Sequence, residues 1–434
     1  MLRHVILIGG LCGLASAGPG AATLRAQIPT VTLDDAIRLA QRAQPGVVQA
    51  RSSVRNAEAQ VRSARGAYLP NLSASTTGTR SYTTTQRVGP TGELENATTN
   101  SLNFGLNSSI DLFTGFRRGA DSRSARATRS AAEAALTDQE FQATLTATQQ
   151  FYDALAAQQL VRVREASVKR AEEQLNLSVA KLRVGSATRS DSLRSLVNLG
   201  NARLNLISTG SDVARTQAAL GRTLGLDGRV QAADDSAYYT TSLLLDTTAV
   251  MQEALAGSPQ VQSAQASAEA ASASVKAARA QYFPSLTLGA SANWSGNNQN
   301  DYRLSGNRQL QLGLSWALFN RFQREQTVEA RLSAQDNAEA SAADIRRGVQ
   351  AALTTQFAAL DAARVQIEIT RTSLTAAQED LRVVSERYRV GAATIVDVLT
   401  SQEALAQAEV DVVTARFAYL KAKAQIEALI GRRL

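Results

Sequence analysis

Side chains suited to chemistry are almost absent from this 434-residue chain. It holds one histidine, His4, and one cysteine, Cys12, both within the first dozen residues. That stretch has the layout of a secretory signal. Arg3 gives a positive start, Val5 to Leu14 form a short apolar run, and Ala15-Ser16-Ala17 supplies a small-residue cleavage site. A second candidate site ends at Ala26, so residues 1–26 are assigned to the signal, with cleavage expected after Ala17 or Ala26. Gly9-Gly10-Leu11 before Cys12 does not fit a lipoprotein signal, and no lipid anchor is expected. A mature chain without His or Cys has no Ser-His-Asp or Cys-His nucleophile, no His or Cys zinc site, no disulfide and no haem or iron–sulfur ligand. Carboxylates survive this cut. Asp191 and Asp397 occupy corresponding places, each just after a Gly-containing segment: Val184-Gly185-Ser186-Ala187-Thr188 and Val390-Gly391-Ala392-Ala393-Thr394. No paired acids in a distinctive pocket motif support a carboxylate hydrolase. The chain is therefore expected to be no enzyme and to carry no metal or cofactor.

The net charge of +8 raises nucleic acid as a partner. Arg and Lys are scattered among acids, however, and aromatic residues make up only 5% of the chain, too few to form a stacking platform. The charges fit solvated helix faces, and no nucleic-acid partner is expected.

The elements that must position Asp191 and Asp397 are written twice. Gln44-Pro45 to Ala50 resembles Ser258-Pro259 to Ala264, and Tyr68-Leu69-Pro70-Asn71-Leu72 resembles Tyr282-Phe283-Pro284-Ser285-Leu286, both 214 residues apart. Further on, Phe113, Phe116 and Arg118 match Phe319, Phe322 and Arg324. Leu182-Arg183-Val184-Gly185 matches Tyr388-Arg389-Val390-Gly391, and this spacing is 206. The difference of eight falls between residues 72 and 111, which implies a duplication with one variable loop per half. The first repeat is placed at 27–230, an inter-repeat linker at 231–247 and the second repeat at 248–434.

No Pro occurs from 91 to 258 or from 285 to the end, and these lengths are filled with Ala, Leu, Gln, Glu and Arg. Such stretches favour long helices. Val161, Val168, Leu175 and Leu182 fall seven apart, as do Ile367, Leu374, Leu381 and Tyr388, which predicts left-handed supercoiled packing. Ala157, Ala171 and Ser178 beside this seam permit close approach of helices. Each half reads as a shorter helix (33–66 and 248–280), a β-hairpin, a very long helix (116–183 and 322–389), a tight turn and a return helix (190–224 and 396–430). A helix of about 68 residues is about 100 Å long, too long for the core of one compact domain.

Between the helices the period changes to two. Leu102, Phe104, Leu106, Ile110 and Leu112 alternate with Asn103, Gly105, Asn107, Ser109 and Asp111. Leu286, Leu288, Ala290, Ala292 and Trp294 do the same, followed by Leu310, Leu312, Leu314, Trp316 and Leu318. Strands are expected at about 69–80, 101–112, 284–295 and 308–319, with polar loops at Thr83–Asn100 and Gly296–Asn307. The pattern also suits a water-soluble sheet packed on a core. Strands of about 10 residues ending near Trp294 and Trp316 instead fit a bilayer crossing. Lipid would then be met by Leu102, Phe104, Leu106, Ile110, Leu286, Leu288, Trp294, Leu310, Leu312, Leu314 and Trp316. Four strands cannot close a barrel and open edges are not tolerated in lipid, so the chain must oligomerise. A dimer and a trimer both satisfy this count.

Together, the signal, the duplicated helix–hairpin–helix plan, Tyr68-Leu69-Pro70-Asn71-Leu72 and the segment from Arg387 to Leu399 resemble the TolC family of outer-membrane efflux channels. The resemblance implies a mainly α fold with a membrane β part. In it, a homotrimer forms a 12-stranded β-barrel in the outer membrane, continued by an α-helical coiled-coil barrel across the periplasm. It implies the exit duct of a tripartite efflux or type I secretion system, with a periplasmic adaptor and an inner-membrane transporter as partners. It also implies that residues 184–188 and 390–394 form periplasmic tips that meet the adaptor. Asp397, and Asp191 at the corresponding place, would lie at the entrance constriction, where three copies of Asp397 form an anionic ring. An ordinary first-turn Asp complementing the helix dipole suffices for Asp191. The chain departs from the family at Thr400, where well-known members carry a second Asp, and in Ala393-Thr394-Ile395, which lacks an Arg. A periplasmic coiled-coil scaffold without a channel is the alternative.

Overall fold

The computed structural model describes residues 28–88, 94–235, 246–298 and 301–434, with side chains of 83–88 and 94–97 left aside. The signal segment, His4 and Cys12 lie outside the described residues. The chain begins with β1 (Thr30–Val31), α1 (Leu33–Ala43) and α2 (Pro45–Gly66). A hairpin of β2 (Asn71–Val88) and β3 (Leu94–Phe113) follows, then the 67-residue helix α3 (Arg117–Arg183) and α4 (Arg189–Leu224). After β4 (Gln231–Ala232) the plan recurs as α5 (Thr247–Gly257), α6 (Pro259–Arg279), β5 (Ser285–Asn297), β6 (Ser305–Ser315), α7 (Gln323–Arg389) and α8 (Ile395–Ile430). Leu33 and Thr247, Pro45 and Pro259, and Asn71 and Ser285 open matching elements 214 apart, while Arg117 and Gln323, and Arg189 and Ile395, do so 206 apart. The duplication is therefore structural, and the extra eight residues sit in the first hairpin.

Several boundaries differ from the sequence reading. The helices expected at 33–66 and 248–280 are each broken in two, because Gln44 and Ser258 are extended and a proline opens the next helix. The first hairpin is much longer than expected. Pairing runs from Asn71 opposite Ser109 to Val88 opposite Leu94, with a register shift between Thr83 and Arg87, so most of the loop expected at Thr83–Asn100 is strand. Its Thr-rich sequence lacks apolar alternation, and the two strands extend by pairing with each other. In the second hairpin β5 runs to Asn297, β6 begins at Ser305 and ends at Ser315, and residues 316–319 lie beyond it. The segment expected as linker starts with β4, which pairs in parallel with β1 and ties the entry of the first half to its exit.

The four long strands form one antiparallel sheet in the order β2-β3-β5-β6, so the halves join through β3 and β5. At its other end the sheet continues into helices. Near the sheet α2, α3, α6 and α7 lie side by side, and farther away α4 and α8 replace α2 and α6 alongside α3 and α7. The main core lies where these sets meet, around Phe151, Leu155, Leu220, Leu353, Phe417 and Ile426. In the seam of α3 the fully packed positions are Ala157, Ala171 and Ser178, while Val168 and Leu175 are half-buried beside Ala171, Leu199 and Ala202. In this stretch of α3 the small residues are the more deeply buried, whereas α7 buries Val349, Leu353 and Leu360. No helix among the described residues is long and apolar enough to cross a membrane.

Candidate functional site

Both long helices end the same way. Gly185 (φ 74°) and Gly391 (φ 82°) take the left-handed conformation. Ser186 N–H donates to the Lys181 carbonyl at 2.9 Å and Gly185 N–H to the Leu182 carbonyl at 3.1 Å, and Ala392 and Gly391 repeat these bonds to Arg387 and Tyr388. This is the Schellman closure, which satisfies the last carbonyls of a helix. Thr188 and Thr394 cap the returning helices, each accepting from the backbone N–H of Asp191 or Asp397. In return the Thr394 N–H donates to the Asp397 carboxylate at 2.8 Å, and the Thr188 N–H donates to Asp191 at 2.9 Å. These capping boxes position both aspartates. The Thr394 backbone bond, helped by its hydroxyl, holds the Asp397 carboxyl below its ordinary range. Asp191 and Asp397 therefore share one local role, and no contact between the two side chains appears among the described residues.

The two tips are not equivalent inside. In the second, Tyr388, Ile395 and Val398 are buried and pack with Leu177, Leu381, Val384, Ala393 and Leu399. The first instead holds a buried Ser178–Ser195 hydroxyl pair at 2.7 Å. Lys181 joins them: its ammonium donates to the Tyr388 carbonyl and lies 4.2 Å from the Tyr388 ring centre. At the very ends Val184 and Val390 are 77% and 79% exposed, more than any other large apolar side chain among the described residues. Ser186, Ala187, Ala392 and Ala393 complete the tips, and no atom lies within 4 Å of a Cβ placed on Gly185 or Gly391.

At the opposite end, register places the expected apolar set on one face. Phe104 faces Trp294, Leu106 faces Ala292, Ile110 faces Leu288, and Leu286 and Leu288 face Leu314 and Leu312. Leu102 and Leu310 continue that face, and a register shift between Asp111 and Phe113 ends it. Trp316 departs from expectation. It lies past β6, and its indole N–H donates to the Tyr282 carbonyl at 3.1 Å. The other face carries Asn103, Asn107, Asn293, Gln309 and Gln311.

The profile of outer membrane efflux proteins matches residues 36–226 and 250–432, one segment in each half. The chain belongs to the outer membrane efflux protein family. The efflux protein BepC of Brucella suis biovar 1 (strain 1330) is 25% identical over 417 residues, covering 92% of this chain and 86% of the relative. Among solved structures, CusC superposes with a TM-score of 0.79 at 19% identity, covering 92% of each chain. VceC from Vibrio cholerae gives 0.76 at 17% identity, covering 92% of this chain and 96% of VceC. The open state of the MtrE channel of Neisseria gonorrhoeae gives 0.76 at 18% identity, covering 92% and 89%. This efflux protein is thus a protein of the outer membrane that serves efflux.

Sequence reading matched Arg118 with Arg324 but assigned them no role. Each sits at the corner where the efflux protein passes from sheet to long helix. Phe116 (φ 66°) and Phe322 (φ 62°) hold left-handed conformations there, costing about 1–2 kcal/mol each. Arg324 donates to the Ala317 and Leu318 carbonyls at 2.7 and 3.3 Å and stacks over Tyr282 at 4.7 Å. Arg118 donates to the Leu112 carbonyl at 3.1 Å and stacks over Tyr68 at 4.8 Å. Edge-on ring pairs, Phe113–Phe116 and Phe319–Phe322, brace both corners. The signal for this role was the recurrence itself: a bulky aromatic two residues before an arginine, twice.

Proposed function

We propose that three copies of this chain close into one continuous duct, and that neither its sheet nor its helical wall is complete in a single copy. The observation that carries this reading is a pair of open edges at both levels. The sheet ends in β2 on one side and β6 on the other. Far from the sheet, α4 and α7 are the outermost helices. Along α4, Leu193, Val197, Leu204 and Ile207 form an apolar stripe at helical spacing, with Ile207 67% exposed. Along α7, Val365, Ile369 and Val383 do likewise, with Ile369 60% exposed. Joining β2 to the β6 of a neighbour, and α4 to its α7, is a heterologous contact that closes as a ring. Three copies give twelve strands, enough for a barrel with the Asn, Gln and Ser face on the lumen and the Leu face toward lipid.

The duct serves a tripartite assembly in which residues 184–188 and 390–394 meet the hairpins of a periplasmic adaptor bound to an inner-membrane transporter. Exposed Val184 and Val390 beside small residues support close backbone contact there. Asp397, in three copies near the axis, forms the anionic constriction at the entrance. Asp191 caps its helix in the same way, and the second acidic position is Thr400. The test is conductance. Purified protein should need detergent for extraction, run as a trimer and conduct in planar bilayers. A monomer released by carbonate and without conductance would instead identify a periplasmic coiled-coil scaffold.

A further inference from the structure

The lipid-side face of the sheet carries a charge that its duct role does not require. Arg308 stands on β6 in line with Leu310, Leu312 and Leu314, and faces Ala292 across the sheet. It is exposed and has no carboxylate partner among the described residues. Arginine on a lipid-exposed strand face is disfavoured at the bilayer midplane and nearly neutral at the interface. Eight residues at about 3.3 Å each separate Arg308 from Trp316, a path of about 26 Å. At the tilt of barrel strands this rises about 20 Å, close to the far boundary of an apolar band about 25 Å tall. Trp294 stands two residues nearer the hairpin turns, opposite Gly306, and its indole lies so close over that glycine that a Cβ there would come within 3.2 Å of the ring.

Beside Arg308 the face is hollowed. Ala290 and Ala292, with Ser108 beside Ala290, line a mainly apolar depression of about 440 Å³ together with Leu72, Leu106 and Leu310, with Arg308 at the end nearer the hairpin turns. An apolar trough closed by a cation at one end matches one orientation of a lipid. The acyl chain runs toward the helices and the phosphate sits toward the hairpin turns. A lipid of the inner leaflet would bring its phosphate to the wrong end.

We propose that this depression and Arg308 form a binding site for a phosphorylated lipid of the outer leaflet, with an acyl chain over Ala290 and Ala292 and a headgroup phosphate on the Arg308 guanidinium. Guanidinium and phosphate form charge-assisted, often bidentate hydrogen bonds. The assignment rests on the membrane reading of this face. Arg80, on the same face of β2, stacks 5.1 Å over Tyr82 and is six residues past Ala74, the β2 residue in the Arg308 row. It is therefore about 20 Å farther along the sheet and outside the depression.

The test uses purified trimers in detergent, mixed with diphosphoryl lipid A or with phosphatidylglycerol, and native mass spectrometry to count bound lipid. Conductance of the parent trimer is read first, and a parent that neither trimerises nor conducts sinks the duct reading and the site with it. With a conducting trimer, lipid A should be retained in preference to phosphatidylglycerol. Arg308→Gln should lower its retention about tenfold, the effect of one lost charged partner. Ala292→Trp, which fills the trough and leaves Arg308 in place, should lower it similarly, and Arg80→Gln should not. Unchanged retention in both Arg308→Gln and Ala292→Trp, an equal loss in Arg80→Gln, or equal retention of phosphatidylglycerol would overturn the proposal.

Discussion

At the scale of single residues, the cap that Asp397 makes and the pore role proposed for it separate experimentally. Its carboxylate completes a capping box with Thr394, and the backbone bond from Thr394 lowers its pKa below the ordinary 3.8. A carboxyl with a depressed folded-state pKa contributes stability that is full above its unfolded value. That stability is lost as pH falls through the folded value. Protection from hydrogen exchange at the first turn of α8, taken relative to the intrinsic exchange rate at each pH, should therefore be constant from pH 7 to about 5 and fall only below about pH 4. Loss of protection already at pH 6 would contradict this cap. The proposed role concerns the pore. In trimers, Asp397→Ala should weaken block by multivalent cations from the periplasmic side several-fold, whereas Asp191→Ala should not. Both variants lose the same cap, so a difference between them isolates the ring.

At the scale of elements, the turns and corners matter more than the helices they join. Gly391 has open space around it, so a side chain there meets no clash and only the backbone resists. Gly391→Val forces a β-branched residue to φ 82°, at a cost of about 1–2 kcal/mol or more. Trimers should still form, while pull-down of the adaptor and efflux are lost; normal efflux would reject contact at this tip. Arg324 belongs to the opposite end. Its side chain is 12% exposed and holds the carbonyls of Ala317 and Leu318, just past β6. Removing it leaves those acceptors poorly satisfied, and Arg324→Ala should cost about 2–3 kcal/mol. Folded trimer yield and the temperature of trimer dissociation should fall, with single-channel conductance unchanged in the trimers that remain.

At the scale of the molecule, the proposed assembly turns on the exposed apolar stripes of α4 and α7. Ile207→Asp places a charge where α4 would meet its neighbour's α7. It should shift the detergent-solubilised protein from trimer toward monomer by sedimentation, with the helix content of each chain retained. The same charge at Thr209, on α4 but off the stripe, should leave trimers intact. A trimer that tolerates Ile207→Asp would place the contact elsewhere.

Much of this fold was legible in residue order because its determinants are local and repeated. The period of seven, the long proline-free runs and Thr-x-x-Asp after each Gly turn act within a few residues. Helices α3, α4, α7 and α8, both turns and their caps therefore lie within a residue or two of expectation. The breaks at Pro45 and Pro259 were equally local, but helical composition on both sides masked them. The extended first hairpin was not legible, since its outer part gains order from cross-strand pairing and not from an apolar face. The partnership of Lys181 with Tyr388, and of Arg118 and Arg324 with the strand ends, needs residues brought together from distant positions. Sequence determined the repeat, the helix lengths, the two faces of each strand and the absence of His and Cys from the expected mature chain. Only the tertiary structure decided which strands and helices are edges, that Arg308 borders a hollow, and that small residues are the packed positions in the seam of α3. Periodicity along one chain specifies which face is apolar, whereas what that face meets depends on how distant elements pack.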